Sequence, residues 1–259
     1  MKNHLRVSLL QAALHWEQKQ ANLDRFSMRL HKLTGQTDLV LLPEMFSTGF
    51  TMNAAALAET MTGPTLSWMA RQAETTGAAI AGSFIATENG RYFNRLVFMQ
   101  PDGNYHAYDK RHLFTLAGEH EHFTPGASRE MIEWQGWKIL PQICYDLRVP
   151  VWSRNTDHYD LLLYVANWPD RRGFHWRSLL TARAIENQVY TLGLNITGTD
   201  GNGLEYAGDS AITDYSGHTL VRVSRLEETL NATLDLESQQ AYRQKLGFLR
   251  DRDRFEVWG

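Results

Sequence analysis

The chain has 259 residues and a formal net charge of −3, and its 43% hydrophobic and 21% charged residues are typical of a soluble globular protein with a large core. No long run of one charge sign occurs, so the sequence argues against a nucleic-acid partner, whose phosphates require clustered Lys and Arg. The longest apolar run, at 161–166, is far too short to span a bilayer, and no membrane partner is predicted.

The first half of the chain alternates strand-like and helix-like patterns. Apolar runs predict buried strands at 6–11, 38–43 and 78–85. After the first strand, apolar residues at steps of three and four predict an amphipathic helix that is closed by Gly35. Gly63-Pro64 opens a second helix that runs to about Thr76, with Gly77 at its C-terminal end. Two strand-like runs on either side of Pro101-Asp102-Gly103 predict a hairpin.

The second half repeats this alternation. The predicted elements are a strand at 137–143, a helix-like run from about Pro150, a strand at 160–167, a helix at 174–188, a strand at 189–198, a glycine-rich loop at 200–203, short strands around 209–213, 219–224 and 230–235, and a last helix at 237–246. Some connections are helical crossovers and others are hairpins. We therefore expect one compact α/β domain over residues 1–259, with mixed sheets.

Three ionisable side chains follow apolar strands in this pattern, namely Glu44, Lys110 and Cys144. The end of a strand, where a rigid sheet meets a loop, is a common position for catalytic side chains. Each signal alone is weak, because a lone Cys is usually a small buried hydrophobe and a lone Lys a surface charge. Taken together they suit acyl transfer, since a thiol needs a base and the carbonyl oxygen under attack needs a positive charge. The backbone N–H of Tyr145 is a candidate second donor to that oxygen.

The single cysteine also bears on the location of the protein. One cysteine excludes an intramolecular disulfide, which fits a reducing compartment. The apolar run near the N-terminus is broken by Gln11 and lacks the small-residue cleavage site of a secretory signal. We therefore predict a cytoplasmic protein.

No metal site is predicted. His120 and His122 have a spacing that suits a metal, but no further His or Cys pattern completes a closed site, so a surface loop is favoured. The glycines at 201–203 lack the strand–loop–helix context of a phosphate-binding loop.

Four segments resemble the signature segments of the nitrilase superfamily of carbon–nitrogen hydrolases: LLPEMFSTGF at 41–50, YDKRHLF at 108–114, GEHEHFTPG at 118–126 and ICYDLRVP at 143–150. The similarity continues through VANWPD, HWRSLLTARAIENQVY and AGDSAITDYSG, and so covers Arg6 to about Leu236. The resemblance implies a four-layer α-β-β-α sandwich with two mixed sheets. It also implies a homodimer at least. No metal or organic cofactor is expected, because a thiol, a carboxylate and an ammonium supply every proton and charge that the reaction requires.

The same resemblance implies roles for individual residues. Glu44 is the expected general base, Lys110 the oxyanion stabiliser and Cys144 the nucleophile. Glu119 is the expected second glutamate, which orients the lysine and the substrate, although Glu121 is an open alternative.

Within the superfamily the chain most resembles the omega-amidase branch, whose enzymes hydrolyse the terminal amide of short 2-oxo dicarboxylic monoamides such as 2-oxoglutaramate. Such a substrate carries a carboxylate, for which Arg148 is the first candidate, with Arg171 and Arg172 as alternatives. Further candidates for the walls of the pocket, which lie beside signature residues, are Phe46, Tyr145, Asn167 and Trp168.

Two other classes of function remain open from the sequence. One is another activity of the same superfamily, such as a carbamoyl-amino-acid hydrolase, an aliphatic amidase or a nitrilase. The other is a non-catalytic protein whose single thiol senses oxidants.

Overall fold

The computed structural model describes residues 2–257. Within this range, thirteen strands, β1 to β13, span His4–Gln11, Leu39–Leu41, Ala79–Glu88, Arg91–Met99, Tyr105–Asp109, Ile132–Trp134, Trp137–Ile143, Leu161–Ala166, Tyr190–Asn195, Thr197–Thr199, Glu205–Thr213, Thr219–Ser224 and Glu228–Asp235. The α-helices of the same range, α1 to α7, span Lys19–His31, Ala54–Leu57, Pro64–Thr76, Glu119–His122, Pro150–Ser153, Gly173–Asn187 and Leu236–Lys245.

The strands form two mixed sheets. The six-stranded sheet has the order β13-β1-β2-β3-β4-β5, and the seven-stranded sheet has the order β10-β11-β9-β8-β7-β6 with β12 paired to β11. In the first sheet β1, β2 and β3 are parallel, and in the second β7, β8 and β9 are parallel. The other pairs are antiparallel.

The core has separate layers, because successive side chains of a strand pack on opposite faces of its sheet. Leu39 and Leu41 of β2 join a cluster that includes apolar residues of both sheets, whereas Val40 between them packs with Phe26 of α1 and Met69 of α3. Successive side chains of a strand point to opposite faces, so a continuous apolar run serves two interfaces. On the second sheet α6 covers the outer face, where a Cβ on Gly193 of β9 would lie 2.3 Å from the Leu180 side chain. The result is the predicted α-β-β-α sandwich.

Most predicted elements are confirmed. The differences are in helix lengths, in short elements such as α2 and β6 that were not predicted, and in the strand predicted at 189–198, which is divided into β9 and β10. The second predicted helix has the expected bounds, with Gly77 in the left-handed conformation at its C-terminal end. Helix α1 ends at His31 rather than at Gly35, because turns occupy the intervening residues. The helix-like run from Pro150 is only four residues long, and His120 and His122 lie in a one-turn helix instead of a loop. None of the helices described between residues 2 and 257 is long and apolar enough to cross a bilayer.

Candidate active site

Polar side chains from both sheets meet at one edge of the sandwich. Glu44 follows β2 and Lys110 follows β5 of the six-stranded sheet, whereas Cys144 and Asn167 follow β7 and β8 of the seven-stranded sheet. The backbone N–H of Asn167 donates to Glu44 Oε2 at 2.8 Å, and its side-chain amide donates to the Glu44 carbonyl oxygen at 2.7 Å. Asn167 therefore joins the two halves of the site.

Lys110 lies at the centre of this site, between two carboxylates. Its Nζ is 2.9 Å from Glu44 Oε1 and 2.9 Å from Glu119 Oε2, and all three side chains have 0% exposure. Nζ also lies 5.1 Å from the centre of the Phe50 ring. A lysine ammonium has three donors, and Nζ lies within hydrogen-bond distance of three oxygens, Glu44 Oε1 and both carboxylate oxygens of Glu119.

The position of Lys110 depends on a close approach of two chain segments. The N–H of Gly126 donates to the carbonyl oxygen of Lys110 at 2.9 Å. A Cβ on Gly126 would lie 2.2 Å from the carbonyl oxygen of Asp109, which no side chain tolerates. The glycine of the Pro-Gly pair is thus needed to pack the loop after Glu119 against the end of β5.

The two carboxylates are held by further donors. The Asn94 side-chain amide donates to Glu44 Oε1 at 2.8 Å and to Glu119 Oε1 at 3.3 Å. The backbone N–H of Phe114 donates to Glu119 Oε2 at 2.6 Å. These bonds fix both carboxylates and leave them little freedom to move away from Lys110.

Charge in the cluster is not balanced, because one ammonium faces two carboxylates. Burial alone lowers the pKa of Lys110, but the charges of Glu119 and Glu44 outweigh it and raise the pKa above the usual value of a lysine. Burial raises the pKa of Glu119, and the charge of Glu44 raises it further against the opposing effect of Lys110. Lys110 therefore stays protonated, and the Glu119 carboxyl takes up a proton more readily than a free glutamate does.

Cys144 lies at a strained turn directly after β7. Its φ is +44°, a conformation that L-residues other than Asn and Asp seldom adopt, and it begins a 3-10 turn over Cys144–Arg148. The Asp146 carboxylate, which is fully buried, holds this turn by accepting from the N–H of Ile143 at 3.0 Å. It also accepts from the Tyr108 hydroxyl at 2.7 Å and from the N–H of His112 at 2.9 Å. Asp146 thus ties the turn that carries Cys144 to the segment that carries Lys110.

The thiol of Cys144 is protonated at neutral pH. Burial raises the pKa of Cys144 well above its usual value, and the charge of Glu44 raises it further, against the opposing effect of Lys110. Sγ is 3.9 Å from the carbonyl oxygen of Asn167, and the residue has 8% exposure. A thiol in this environment requires a base to remove its proton during a reaction.

Cys144 borders a cavity of about 550 Å³. Asn167 lines it, and Phe50, Phe114 and Tyr206 contribute aromatic rings to its walls. The remaining walls include Trp16, Glu17, Thr51, Met52, Asn53, Leu116, Ala117, Pro169, Arg171, Arg172, Asp200, Asn202 and Leu204. A cavity of this size admits a small organic molecule.

The predicted wall residues divide into two groups. Tyr145, Asn167 and Trp168 border a second, water-sized cavity of about 20 Å³ that also reaches Cys144. The prediction for Phe46 is wrong, because its fully buried ring packs between Phe26, at a ring distance of 6.0 Å, and Trp68, at 5.6 Å.

The three candidate arginines differ in their surroundings. Arg148 lies over the Trp168 ring at 4.7 Å and borders the small cavity, not the large one. Arg172 borders both cavities and lies over the Phe114 ring at 5.2 Å. Arg171 borders the large cavity and is exposed.

The choice between the two glutamates of the third segment is clear from their positions. Glu119 is fully buried on Lys110, whereas Glu121 is exposed. Residues two apart on a helix point in nearly opposite directions, so only one of them faces the site.

Sequence reasoning missed Asn94, Asp146, Phe50 and Tyr206. Asp146 lies inside the segment at 143–150 that resembles a family signature. It could have been found from the sequence, because it is an acidic residue that directly follows the Cys-Tyr pair. Asn94 lies in the middle of β4, and no local pattern marks it as a contact of two glutamates.

Comparison with known proteins places the chain in a family. The model of the carbon–nitrogen hydrolase family matches residues 6–244. "Omega-amidase YafV" of Escherichia coli (strain K12) is 46% identical over 256 residues, which are 98% of this chain and 99% of that protein. "2-oxoglutaramate amidase" of Bacillus subtilis (strain 168) is 32% identical over 250 residues, which are 95% and 96% of the two chains.

A solved structure agrees with this result. XC1258 from Xanthomonas campestris, described as a CN-hydrolase superfamily protein, is 42% identical with a TM-score of 0.97, covering 99% of this chain and all of that one. The chain therefore belongs to the carbon–nitrogen hydrolase family of the nitrilase superfamily and is a hydrolase that acts on amides.

Proposed function

We propose that the protein is an omega-amidase that cleaves the terminal amide of small 2-oxo dicarboxylic acid monoamides, such as 2-oxoglutaramate, to give the oxo acid and ammonia. The observation that carries this proposal is the buried Lys110, paired with Glu44 and Glu119 beside a cavity that Cys144 borders. The names of the relatives supply the substrate class, since both the 46% and the 32% identical proteins are named for this activity.

The first half of the proposed reaction forms a thioester. Glu44 removes the proton of the Cys144 thiol as Sγ attacks the amide carbon. The carbonyl oxygen becomes an oxyanion, which Lys110 Nζ and the backbone N–H of Tyr145 stabilise. Removing one such donor typically costs a factor of about 100 to 1,000 in rate. The carbon–nitrogen bond then breaks, the proton held by Glu44 passes to the departing nitrogen, and ammonia leaves.

The second half regenerates the enzyme. Glu44, again ionised, takes a proton from water as the water oxygen attacks the thioester carbon. The same two donors hold the second oxyanion, which collapses with cleavage of the carbon–sulfur bond. The proton on Glu44 returns to the sulfur of Cys144, and the carboxylic acid leaves. Glu119 fixes the position of Lys110 throughout and makes no covalent bond.

The raised pKa of Cys144 supports this order of events. A resting thiolate would react readily with oxidants and alkylating agents, whereas a buried thiol of raised pKa reacts slowly until a base removes its proton. The same property argues against the oxidant-sensor hypothesis, because sensor cysteines are accessible and have a low pKa.

Ammonia release from a panel of amides tests the substrate class. We expect 2-oxoglutaramate to give a higher kcat/KM than an N-carbamoyl amino acid, a simple aliphatic amide and a nitrile. An N-carbamoyl amino acid that outperforms 2-oxoglutaramate would overturn the assignment to this branch while leaving the family unchanged.

We also propose that residues 1–259 form one catalytic unit and that two such chains form a homodimer in the cytoplasm. The single unit is supported by a site that takes residues from both sheets. The dimer is supported by a groove between α5, the end of α6 and the C-terminal segment, lined by Val151 with 44% exposure and Phe255 with 38%. Light scattering that gives the mass of one chain would contradict the dimer.

A further inference from the structure

Three arginines lie close to Cys144 without a counter-ion. Arg148, Arg171 and Arg172 make no ion pair with any carboxylate among residues 2–257. The nearest carboxylate in sequence, Asp170, pairs instead with Arg225 at 2.7 Å. A group of guanidinium ions at the edge of an active site, with no protein anion bound to them, is suited to an anionic substrate.

Arg171 is exposed, whereas Arg172 is half-buried, and the contacts of the guanidinium groups distinguish Arg172 from Arg148. Arg148 is fixed between the Trp168 ring at 4.7 Å and the Tyr145 ring at 5.9 Å, and its guanidinium lies 3.2 Å from His175 Nδ1. The guanidinium of Arg172 makes no hydrogen bond within the described part of the chain, and only the Phe114 ring supports it. Its five N–H donors are therefore available to a ligand.

Arg172 shares both cavities with the nucleophile. It borders the large cavity and the small one, and both of them reach Cys144. Burial lowers the pKa of Arg172, and the charges of Arg171 and Arg148 lower it further. A bound carboxylate would relieve this repulsion, whereas water relieves it only in part.

The two acidic residues that line the large cavity, Glu17 and Asp200, are not counter-ions of Arg172 within the described residues. Glu17 accepts from the Thr51 hydroxyl at 2.6 Å, and Asp200 accepts from the Tyr206 hydroxyl at 2.8 Å. Asp200 also accepts the N–H groups of its own turn, at 2.8 and 2.9 Å. Both carboxylates thus accept from donors other than Arg172, and within residues 2–257 neither forms an ion pair with that guanidinium.

We propose that Arg172 binds the free carboxylate of the substrate, so that the other end of a short dicarboxylic monoamide reaches Cys144. This inference rests on the proposed function, because it concerns the substrate class of the same site. Arg148 then supports the aromatic wall beside the thiol, and Arg171 contributes only long-range attraction through water. Arg172 is the specificity-determining residue for a carboxylate-bearing amide, in place of the predicted Arg148.

A pair of matched substrates tests this assignment. Glutaramate carries the carboxylate, and hexanamide is an uncharged amide of similar length. The readout is the ratio of their kcat/KM values, measured for the wild type and for Arg172→Met, Arg148→Met and Arg171→Met. We expect Arg172→Met to lower the ratio about 10- to 100-fold, as when one charge-assisted hydrogen bond is lost. The other two variants should lower it by less than about 3-fold.

The ratio separates specificity from general damage, since a variant that only disturbs the fold slows both substrates alike. Arg172→Lys, which keeps the charge but loses the bidentate geometry, should recover part of the ratio. If Arg148→Met lowers the ratio and Arg172→Met does not, the assignment to Arg172 is wrong and the proposed function stands. If the wild type itself shows no preference for glutaramate, the proposed function fails, and this inference fails with it.

A second measurement covers the case in which Arg172→Met does not fold. Glutarate, a dicarboxylate without an amide, should slow the alkylation of Cys144 by iodoacetamide in the wild type. In Arg172→Lys the half-protecting glutarate concentration should rise several-fold, and in Arg148→Lys it should stay within about 2-fold. Equal protection in the wild type and Arg172→Lys would overturn the proposal.

Discussion

Replacing Lys110 with methionine removes the positive charge between the two glutamates and nearly keeps the length of the side chain. Lys110 is fully buried, and both of its ion-pair partners, Glu44 and Glu119, are fully buried as well. In Lys110→Met the two carboxylates share the amide of Asn94 and have no cation between them. We expect them to retain one proton between them at neutral pH, as neighbouring carboxylates do.

The loss of activity in this variant has two sources. The missing oxyanion donor costs about 3 to 4 kcal/mol of transition-state stabilisation, or roughly 100- to 1,000-fold in rate. A shared proton also weakens Glu44 as a base, and general base catalysis contributes about 100- to 10,000-fold. We therefore expect kcat/KM to fall at least about 1,000-fold.

Stability should fall in the same variant. Removing one partner of a buried ion pair costs about 3 to 5 kcal/mol. Because the carboxylates of the variant have a folded-state pKa above their unfolded value, part of this loss should be recovered as the pH is lowered. Thermal unfolding followed by circular dichroism at two pH values measures the effect.

The matched control is Lys138→Met, at an exposed lysine on β7 close to the nucleophile in sequence. It should leave both ammonia release and the unfolding temperature near those of the wild type. Activity of Lys110→Met within about 10-fold of the wild type would refute the role of Lys110 as the oxyanion donor.

Two further predictions concern the nucleophile. Asp146→Asn puts an amide where a fully buried carboxylate accepts from Tyr108 and from two backbone N–H groups and also lies 2.8 Å from His112 Nδ1, so we expect a loss of about 1 to 3 kcal/mol in unfolding free energy and a large loss of kcat. The exposed Asp102→Asn is the control, and a normal kcat in Asp146→Asn would contradict the role of Asp146 in holding the turn that carries Cys144. Because the pKa of Cys144 is raised, its alkylation by iodoacetamide should keep accelerating with pH after that of a free cysteine has levelled off, and a rate–pH curve with its midpoint at about 8.5, the pKa of a free cysteine, would contradict the account.

The strand pattern predicted that Glu44, Lys110 and Cys144 each follow a strand, whereas their joint role was implied by the resemblance to the nitrilase superfamily. A parallel strand ends at a defined edge, so the residue after an apolar run lies at a site that the sheet fixes. No local sequence pattern predicts the register of β3 with β4. This register brings Asn94 opposite Ile85, and the Asn94 side chain then reaches the two glutamates. Long-range contacts of this kind depend on the whole fold.

Phe46 and Phe50 illustrate the limit of arguing from proximity in sequence. Phe46 lies two residues after Glu44, yet Met45 has a φ of +44° and the turn directs the Phe46 ring into the core. Phe50 is further along the chain but returns to lie over Lys110. The direction of a side chain after a strained residue cannot be obtained from the sequence pattern.

Intact-protein mass spectrometry during turnover tests most directly whether Cys144 takes the acyl group. With 2-oxoglutaramate in excess and rapid acid quenching, we expect a transient adduct of the mass of the acyl group, located on Cys144 by peptide mapping and absent in Cys144→Ala, which should release no ammonia. Steady ammonia release from Cys144→Ala, or turnover of the wild type with the acyl group on any other residue, would contradict the account.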